Sequence, residues 1–240
     1  LTQVVATGEV GEWPSVCLWD TESHEFVDGT LSTPLLTIRG DHSGGVSALS
    51  FSSTGELLLS VGEDPEHTFC IHQWAPVGSG AEKPLAKNAT GPARVLAASI
   101  NPYLGGPSDG GLLEVVTCAV DGLSFLDVDP SDWSYVRRER CMAGDEFVEW
   151  ALLQEGGEHG TRNDALKMGK ELLSRPVLAA RFLDAQNLAA GSVDGKVYII
   201  SRRCLALAVD AHAGAVMDID APGGRRVHSG ELMISKRDGG

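Results

Sequence analysis

The sequence predicts an all-β fold made of repeated antiparallel units, and three observations lead to that prediction. Short runs of β-branched and small apolar residues recur through the 240 residues. Turns that contain Gly, Asp or Ser separate these runs, and the same order of strands returns at a nearly constant spacing. Period-2 strands at short, regular intervals are typical of all-β repeat architectures, and the repeat decides the fold.

The clearest unit lies in the first half of the chain. We predict its first strand over 46–52, its second over 57–62 and its third, after an acidic turn, over 68–72. Alternation of small and β-branched residues indicates strands with one side packed against neighbouring strands. A second copy has strands over 177–182, 188–192 and 196–200, with a turn at Asp194-Gly195.

The repeat length follows from the residues near the end of each third strand, which are Trp19, His72, Leu126 and Ile200. Their intervals are 53, 54 and 74 residues. The last interval is longer than the others, and the excess falls at 151–175, which has no strand pattern. We therefore predict an insertion there.

The insertion contains one segment with helical character, over Asn163–Leu173, with Asn163 or Asp164 as the N-cap. Asn and Asp are favoured N-cap residues because their side chains accept hydrogen bonds from free backbone N–H groups. A solvated loop is the favoured interpretation of the insertion, and a partner-docking element is the alternative.

A fourth, outer strand after each third strand completes the unit. We predict these outer strands over 35–39, 83–87, 134–140 and 204–209, and the beginning of another unit with strands over Ala215–Asp220 and Glu231–Ser235. The chain then contains about four four-stranded units in part or whole.

At these residues the chain resembles a WD40-repeat β-propeller. That family joins each blade by hydrogen bonds between a leading His, a Ser or Thr on the second strand, an Asp in the next turn and a Trp that ends the third strand. The matching positions are Trp19, followed by Asp20, the leading residues His42 and His212, the hydroxyl of Ser60, and the turn residue Asp194.

The chain also departs from the family pattern. Leu126 and Ile200 replace the Trp in two units, His72 replaces it in another, and Glu66 stands where Asp is usual. We expect these blades to depend more on packing than on the hydrogen-bonded staple.

Blade-specific features in their order along the chain are similar to the echinoderm microtubule-associated protein-like family, or to a diverged axonemal or centriolar WD-repeat relative. They cover the chain except the insertion. The segments are Val5–Val10, Pro14–Asp20, Glu66–Trp74, Val95–Pro102, Val115–Cys118 with Phe125, Ala211–Ala215 and Leu232–Gly239.

This resemblance implies a tandem propeller that binds tubulin or the microtubule lattice, together with other cytoskeletal or axonemal proteins, as a non-catalytic scaffold. It implies the cytoplasm and cytoskeleton as location, with the ciliary or flagellar axoneme or the centriole as alternatives. A generic WD40 adaptor, for instance in a ligase or signalling complex, is the second candidate.

The resemblance divides the chain into blades. About four blades leave bare sheet edges, which folded proteins avoid, so we expect further blades elsewhere in a longer protein. The predicted parts are a partial first blade and connection at 1–45, a second blade at 46–94, a third at 95–150, the insertion at 151–175, a fourth blade at 176–210 and a truncated fifth at 211–240.

Composition excludes several classes of function. Residues 1–133 contain 18 acidic and 4 basic side chains, so the whole net charge of −14 lies there. Nucleic-acid binding needs a basic footprint, and the longest apolar runs have only strand length, so we expect neither a nucleic-acid nor a membrane partner. The five widely spaced Cys residues indicate reduced thiols in an intracellular compartment.

The sequence contains no motif for catalysis or cofactor binding. A phosphate loop, a G-x-S-x-G elbow and an H-E-x-x-H motif are all missing, so we expect neither an enzyme nor a cofactor. Asp127–Asp132 lacks the spacing and the closing Glu of a calcium loop, and a solvated acidic loop is the favoured interpretation. His42 and His212 are interpreted as structural.

The candidate partner-binding residues form a basic cluster: Arg202 and Arg203 lie between a third and a fourth strand, and Arg225 and Arg226 between a first and a second. In a propeller both kinds of turn emerge on the same face, and Arg137, Arg138 and Arg140 belong to the preceding outer strand. We predict that this face meets an acidic protein surface such as tubulin, which would chiefly set orientation and association rate.

Overall fold

The computed structural model describes residues 4–21, 33–75, 83–104, 111–154 and 161–220. Four sheets follow one another along this part of the chain, and nearly all of their strand pairs are antiparallel. The first and second sheets contain β1 (Val4–Gly8), β2 (Val10–Gly11), β3 (Ser15–Asp20), β4 (Leu36–Arg39), β5 (Gly44–Phe51), β6 (Leu57–Gly62), β7 (Thr68–Gln73) and β8 (Ala86–Ala89).

The third and fourth sheets repeat the same plan. Their strands are β9 (Val95–Ile100), β10 (Leu113–Ala119), β11 (Gly122–Val128), β12 (Tyr135–Arg140), β13 (Met142–Ala143), β14 (Val177–Phe182), β15 (Asn187–Ser192), β16 (Lys196–Ser201) and β17 (Cys204–Asp210). Within each of these sheets neighbouring strands are joined in sequence order, from an inner strand outward to the fourth. The predicted all-β blade architecture is confirmed.

Two strands extend a sheet beyond its own unit. β2 pairs with β5 of the next sheet, and β13 adds a parallel fifth strand to the outer edge of β17. Both segments therefore tie consecutive sheets together through backbone hydrogen bonds.

The sheets pack face to face around their inner strands. β5 contacts β9, and β9 contacts β14, so the inner strands lie side by side. Three apolar cores fill the spaces between consecutive sheets, and their centres include Leu18, Phe69 and Tyr198, which are fully buried. Gly8 allows Val46 of the next inner strand to approach closely, since a Cβ there would lie 2.6 Å from the Val46 Cβ atom.

Two helices form the insertion: α1 (Asp145–Gln154) and α2 (Arg162–Leu173). The interpretation as a solvated loop is wrong, because Phe147, Val148 and Leu172 belong to the core between the third and fourth sheets. The sequence analysis missed α1, which begins inside the range assigned to the third blade, although its buried residues recur at helical spacing.

The start of α2 also differs from the prediction. Its N-cap is Thr161, not Asn163 or Asp164. The Thr161 hydroxyl accepts a hydrogen bond from the Asp164 backbone N–H at 3.2 Å, and the Asp164 carboxylate accepts one from the Thr161 N–H at 3.0 Å. Asp164 therefore acts as the third helical residue of a capping box.

The last described segment does not form the predicted strand over Ala215–Asp220. Val216 is nevertheless buried against Gly191, and its N–H donates to the Ser192 carbonyl at 3.0 Å. The predicted strand over Glu231–Ser235 lies outside the described residues. In the described part of the chain, no helix is both long and apolar enough to cross a membrane.

Candidate partner-binding face

Three of the predicted staple residues, Trp19, His42 and Ser60, form hydrogen bonds of the expected kind. In the first sheet, the Trp19 indole N–H donates to the Thr7 hydroxyl on the neighbouring strand at 2.8 Å. In the second sheet, His42 Nε2 and the Ser60 hydroxyl are 2.8 Å apart and buried. Each bond fixes a side chain from one strand or loop against the next strand of the same sheet.

His72 takes part in a second buried network. Its Nε2 lies 3.0 Å from an Asp41 carboxylate oxygen, and the Lys87 ammonium donates to the other oxygen at 3.2 Å. Although burial would raise the pKa of Asp41, the hydrogen bonds and charges of His72 and Lys87 lower it. Asp41 therefore stays ionised and joins the loop before β5 to the outer strands of the second sheet.

Glu66 is not the acidic residue of the second blade's staple. It is exposed, and its backbone carbonyl accepts a hydrogen bond from Gly91 N–H at 3.1 Å. Asp64 is the acid near His42 instead: its carboxylate and His42 Nδ1 both lie against Gly62, but no hydrogen bond joins the two side chains. The Asp64 carboxylate also accepts a hydrogen bond from the Thr68 hydroxyl at 2.8 Å.

In the fourth sheet the predicted staple is incomplete. The Asp194 carboxylate accepts hydrogen bonds from the Ser192 hydroxyl and from the Arg175 guanidinium. His212, which precedes the predicted inner strand of the fifth blade, is exposed, and its backbone N–H donates to the Gly195 carbonyl at 3.0 Å. Its imidazole does not occupy the buried position that His42 has in the second sheet.

Arg203 is the centre of a charged cluster between the third and fourth sheets. Its guanidinium donates to Glu114 at 2.6 Å, to Asp127 at 2.8 Å and to Glu139 at 3.3 Å. It also lies 5.5 Å from the centre of the Phe125 ring, within the range of a cation–π contact. The prediction that Arg203 faces a partner is corrected: this guanidinium is used inside the protein.

The charges of this cluster compensate one another. The Asp127 side chain is 0% exposed and that of Glu114 is 7% exposed, so each carboxylate needs a cation close by. Burial would raise the pKa of Asp127, but hydrogen bonds from Arg203 and Arg137 lower it. The interpretation of Asp127 as part of a solvated loop is therefore wrong; the residue lies inside β11.

The other arginines of the predicted basic cluster have different positions. Arg137 donates to Asp127 at 2.8 Å, Arg140 donates to Asp121 at 2.8 Å, and Arg138 donates to the Ser124 hydroxyl at 3.3 Å. Arg225 and Arg226 lie outside the described residues. Arg202 is exposed, and in the described part of the chain no carboxylate pairs with it.

Arg202 stands at the mouth of a cavity of about 280 Å³ between the third and fourth sheets. Its lining combines aromatic and aliphatic side chains with polar and charged ones. The lining residues are Leu104, Glu114, Phe125, Phe182, Ala185, Gln186, Leu188, Ile200, Arg202 and Arg203.

Sequence reasoning missed Glu114 and Asn101, which also join these sheets. The Asn101 amide donates to Glu114 at 2.8 Å and to the Ala185 carbonyl of the fourth sheet at 3.3 Å. A single acid within the apolar run 112–116 was a signal that could have identified Glu114, because a carboxylate inside a buried strand requires a partner.

A metal site requires several His, Cys, Asp or Glu side chains placed close together. No group of three or more His, Cys, Asp or Glu side chains in residues 4–21, 33–75, 83–104, 111–154 and 161–220 is placed to hold a metal ion. Burial raises the pKa of the Cys70 and Cys118 thiols to about 12, which keeps them protonated at neutral pH.

The radial sheets and the bonds between them define the fold as a WD40-type β-propeller. The structure is similar to the beta-propeller domain of Cps50 (Swd1) from Myceliophteria thermophila, with a TM-score of 0.57 and 18% sequence identity over 90% of this chain. The match covers 58% of that protein, so this chain spans less than two thirds of its length. No protein-family model matches the chain.

Proposed function

We propose that the protein is a non-catalytic scaffold that binds other proteins through the face bearing the β16–β17 turn. The proposal rests on the environment of Arg202. Its side chain is an exposed cation without a carboxylate partner in the described residues, and it lies beside a largely apolar cavity. The neighbouring arginines are bonded within the protein, so Arg202 is the cation of this turn that is available to a partner.

The more specific proposal is that the partner is tubulin in the microtubule lattice, in a cytoskeletal or ciliary assembly. It is supported by the sequence resemblance to the echinoderm microtubule-associated protein-like family and by the match between an exposed cation and an acidic protein surface. Charge complementarity of this kind raises association rates and depends strongly on salt.

Co-sedimentation of the full-length protein with polymerised tubulin, over a series of salt concentrations, tests this proposal. Arg202→Glu is expected to weaken binding, and adding Arg225→Glu and Arg226→Glu to weaken it further, whereas Arg39→Glu, the same charge change as Arg202→Glu but on β4, is not. Arg203 is left unchanged because its replacement is expected to lower the stability of the fold. Equal co-sedimentation of all variants at every salt concentration would refute the role of this face.

A generic adaptor is the second candidate, because the propeller fold supports it equally well. It predicts stable co-purification of the full-length protein with a multiprotein complex, such as a ligase or signalling assembly, together with no affinity for tubulin. Affinity purification from cells followed by mass spectrometry, with tubulin co-sedimentation in parallel, separates the two candidates.

A further inference from the structure

The cavity between the third and fourth sheets has a size suited to a side chain. Its volume is about 280 Å³, whereas pockets for complete small-molecule ligands usually measure about 300–1,000 Å³. Peptide-binding sites commonly receive one or two large apolar anchors in pockets of this kind. The cavity is therefore large enough to receive one large side chain of a partner.

Six of the ten residues that line the cavity are apolar, and the other four are Glu114, Gln186, Arg202 and Arg203. Phe125 of the third sheet faces Phe182, Leu188 and Ile200 of the fourth, and all four side chains are almost completely buried. Because they belong to strands of two packed sheets, the cavity is formed before a ligand arrives. A preformed apolar pocket loses little conformational entropy on binding.

The backbone at the mouth has an unusual conformation. Arg202 and Arg203 alone connect β16 to β17, and their φ angles are +48° and +67°. Two-residue turns of this kind favour Asn and Gly, since other residues are strained at positive φ. Residues in strained backbone conformations are found mainly at functional sites. The charged cluster accounts for an arginine at position 203, but not for one at position 202.

Arg202 is held in place without being neutralised. Its backbone N–H donates to the Gln186 carbonyl at 2.8 Å, and its guanidinium makes one long hydrogen bond, of 3.4 Å, to the Gln186 side chain. The turn therefore presents a positioned cation at the edge of an apolar pocket. An acidic group beside an apolar anchor is the ligand chemistry that satisfies both features.

Exposed side chains extend the apolar surface outward from the cavity. Tyr103 and Leu104, in the segment after β9, are 41% and 39% exposed, and Leu104 also lines the cavity. Tyrosine is enriched among residues that dominate binding energy at interfaces. These residues provide contact for the part of a partner that flanks its anchor.

We propose that this cavity and Arg202 form a docking site for a short segment of another protein, which inserts a large apolar side chain into the cavity and pairs a neighbouring acidic residue with Arg202. This inference deepens the proposed scaffold function and rests on it. It names the chemistry of the recognised segment, and it holds whether or not that segment belongs to tubulin.

An array of synthetic peptides tests the recognition chemistry directly. One set pairs Leu, Phe or Met with Glu at neighbouring positions; a second set replaces Glu by Lys, and a third replaces the apolar residue by Ser. We expect the full-length protein to bind the first set at least tenfold more tightly than the other two, measured by fluorescence anisotropy. Equal binding to all sets, or to none, overturns the proposal.

Variants of the turn separate docking from folding. Arg202→Glu is expected to reverse the preference from the Glu set to the Lys set, while Arg39→Glu leaves it unchanged. Arg202→Asn is expected to weaken binding of the Glu set about tenfold without lowering stability, because Asn tolerates positive φ better than Arg. Unchanged peptide preference in both Arg202 variants would overturn the proposal even if both proteins fold normally.

The chain's own residues 105–110 are the competing occupant, since they follow Leu104 directly and include Asp109. That segment has no large apolar side chain, so it cannot supply the anchor. If the Glu set binds only after 105–110 is replaced by Gly and Ser, the site is filled from within and the proposal fails. If the full-length protein binds the Glu set of peptides but does not co-sediment with tubulin, only the tubulin proposal is refuted.

Discussion

The substitution Arg203→Met tests whether the charged cluster holds the third and fourth sheets together. Methionine keeps apolar contact with Phe125 but removes the cation that bonds to Glu114 and Asp127, whose side chains are 7% and 0% exposed. Removing one partner of a buried ion pair costs about 3–5 kcal/mol, because the remaining charge stays buried. Arg137 still pairs with Asp127 at 2.8 Å, so we expect about 3 kcal/mol, at the lower end.

Urea unfolding of the full-length protein, followed by tryptophan fluorescence, measures this loss. Arg140→Met is the matched control: it removes an arginine that pairs with Asp121 where both side chains are about half exposed. Exposed ion pairs contribute about 0–1 kcal/mol, so the control is expected to unfold close to the wild type.

The pH dependence gives a second measurement of the same cluster. In the wild type the pKa of Asp127 is lowered, so its contribution to stability is present above the unfolded value of about 3.9 and is lost as the pH falls through the folded pKa. Without Arg203 less of the effect of burial is offset, so the pKa of this carboxyl is expected to be higher than in the wild type, and its protonation would relieve the penalty. The difference between wild type and Arg203→Met should therefore be largest near pH 7 and shrink towards pH 4.

Three results would contradict this account of Arg203. The first is a loss below about 1 kcal/mol, the size expected of an exposed pair. The second is a difference from the wild type that stays constant between pH 7 and pH 4. The third is a double variant, Arg203→Met with Asp127→Asn, that recovers no stability, since neutralising the stranded carboxylate should restore part of the loss.

Two further predictions concern the second and third sheets. Gly122 has a φ of +122°, and a Cβ there would collide with the Leu173 carbonyl oxygen, whereas Gly55 has a φ of +76° and open space around it. Urea unfolding should show that Gly55→Ala lowers the free energy of unfolding by about 1–2 kcal/mol and that Gly122→Ala lowers it by a further ~1–3 kcal/mol. Equal losses in the two variants would exclude the collision. Burial lowers the pKa of His42 although nearby acids oppose it, so wild-type stability should fall as the pH drops below about 6.5, by up to ~1.4 kcal/mol per pH unit. Unfolding midpoints at pH 7.5, 6.5 and 5.5 should show a smaller slope for His42→Gln, and an unchanged slope would contradict this role.

The strands were predictable because their signals are local. The strands predicted over 57–62 and 177–182 are observed over the same residues. Alternation within a strand and a Gly- or Asp-containing turn after it are both contained in about ten residues, so neither requires knowledge of tertiary contacts. The helix α1 was missed because its start at Asp145 follows a strand without a linker rich in turn residues.

The candidate site was only partly predictable, because its contacts join distant parts of the chain. Arg203 is 76 residues from Asp127 and 89 from Glu114 in sequence. The sequence marked Arg202 and Arg203 as equivalent neighbours in one turn, and only the three-dimensional structure separates an internal ion pair from an exposed cation. The cavity is likewise formed by strands from two sheets, so no local sequence pattern predicts it.

The insertion supports a sheet whose hydrogen-bonded staple is incomplete. The fourth sheet has Ile200 in place of the third-strand Trp, so the indole N–H of the staple is missing there. There the Tyr198 hydroxyl instead donates to the Leu172 carbonyl at the end of α2, at 3.1 Å and buried. Since Phe147 and Leu172 also complete the core between the third and fourth sheets, the two helices supply the packing and the polar partner that the repeat pattern lacks at this blade. Because Phe125, Phe182 and Ile200, which line the cavity, belong to the same core as Phe147 and Leu172, a substitution that loosens the insertion is expected to disturb the cavity as well.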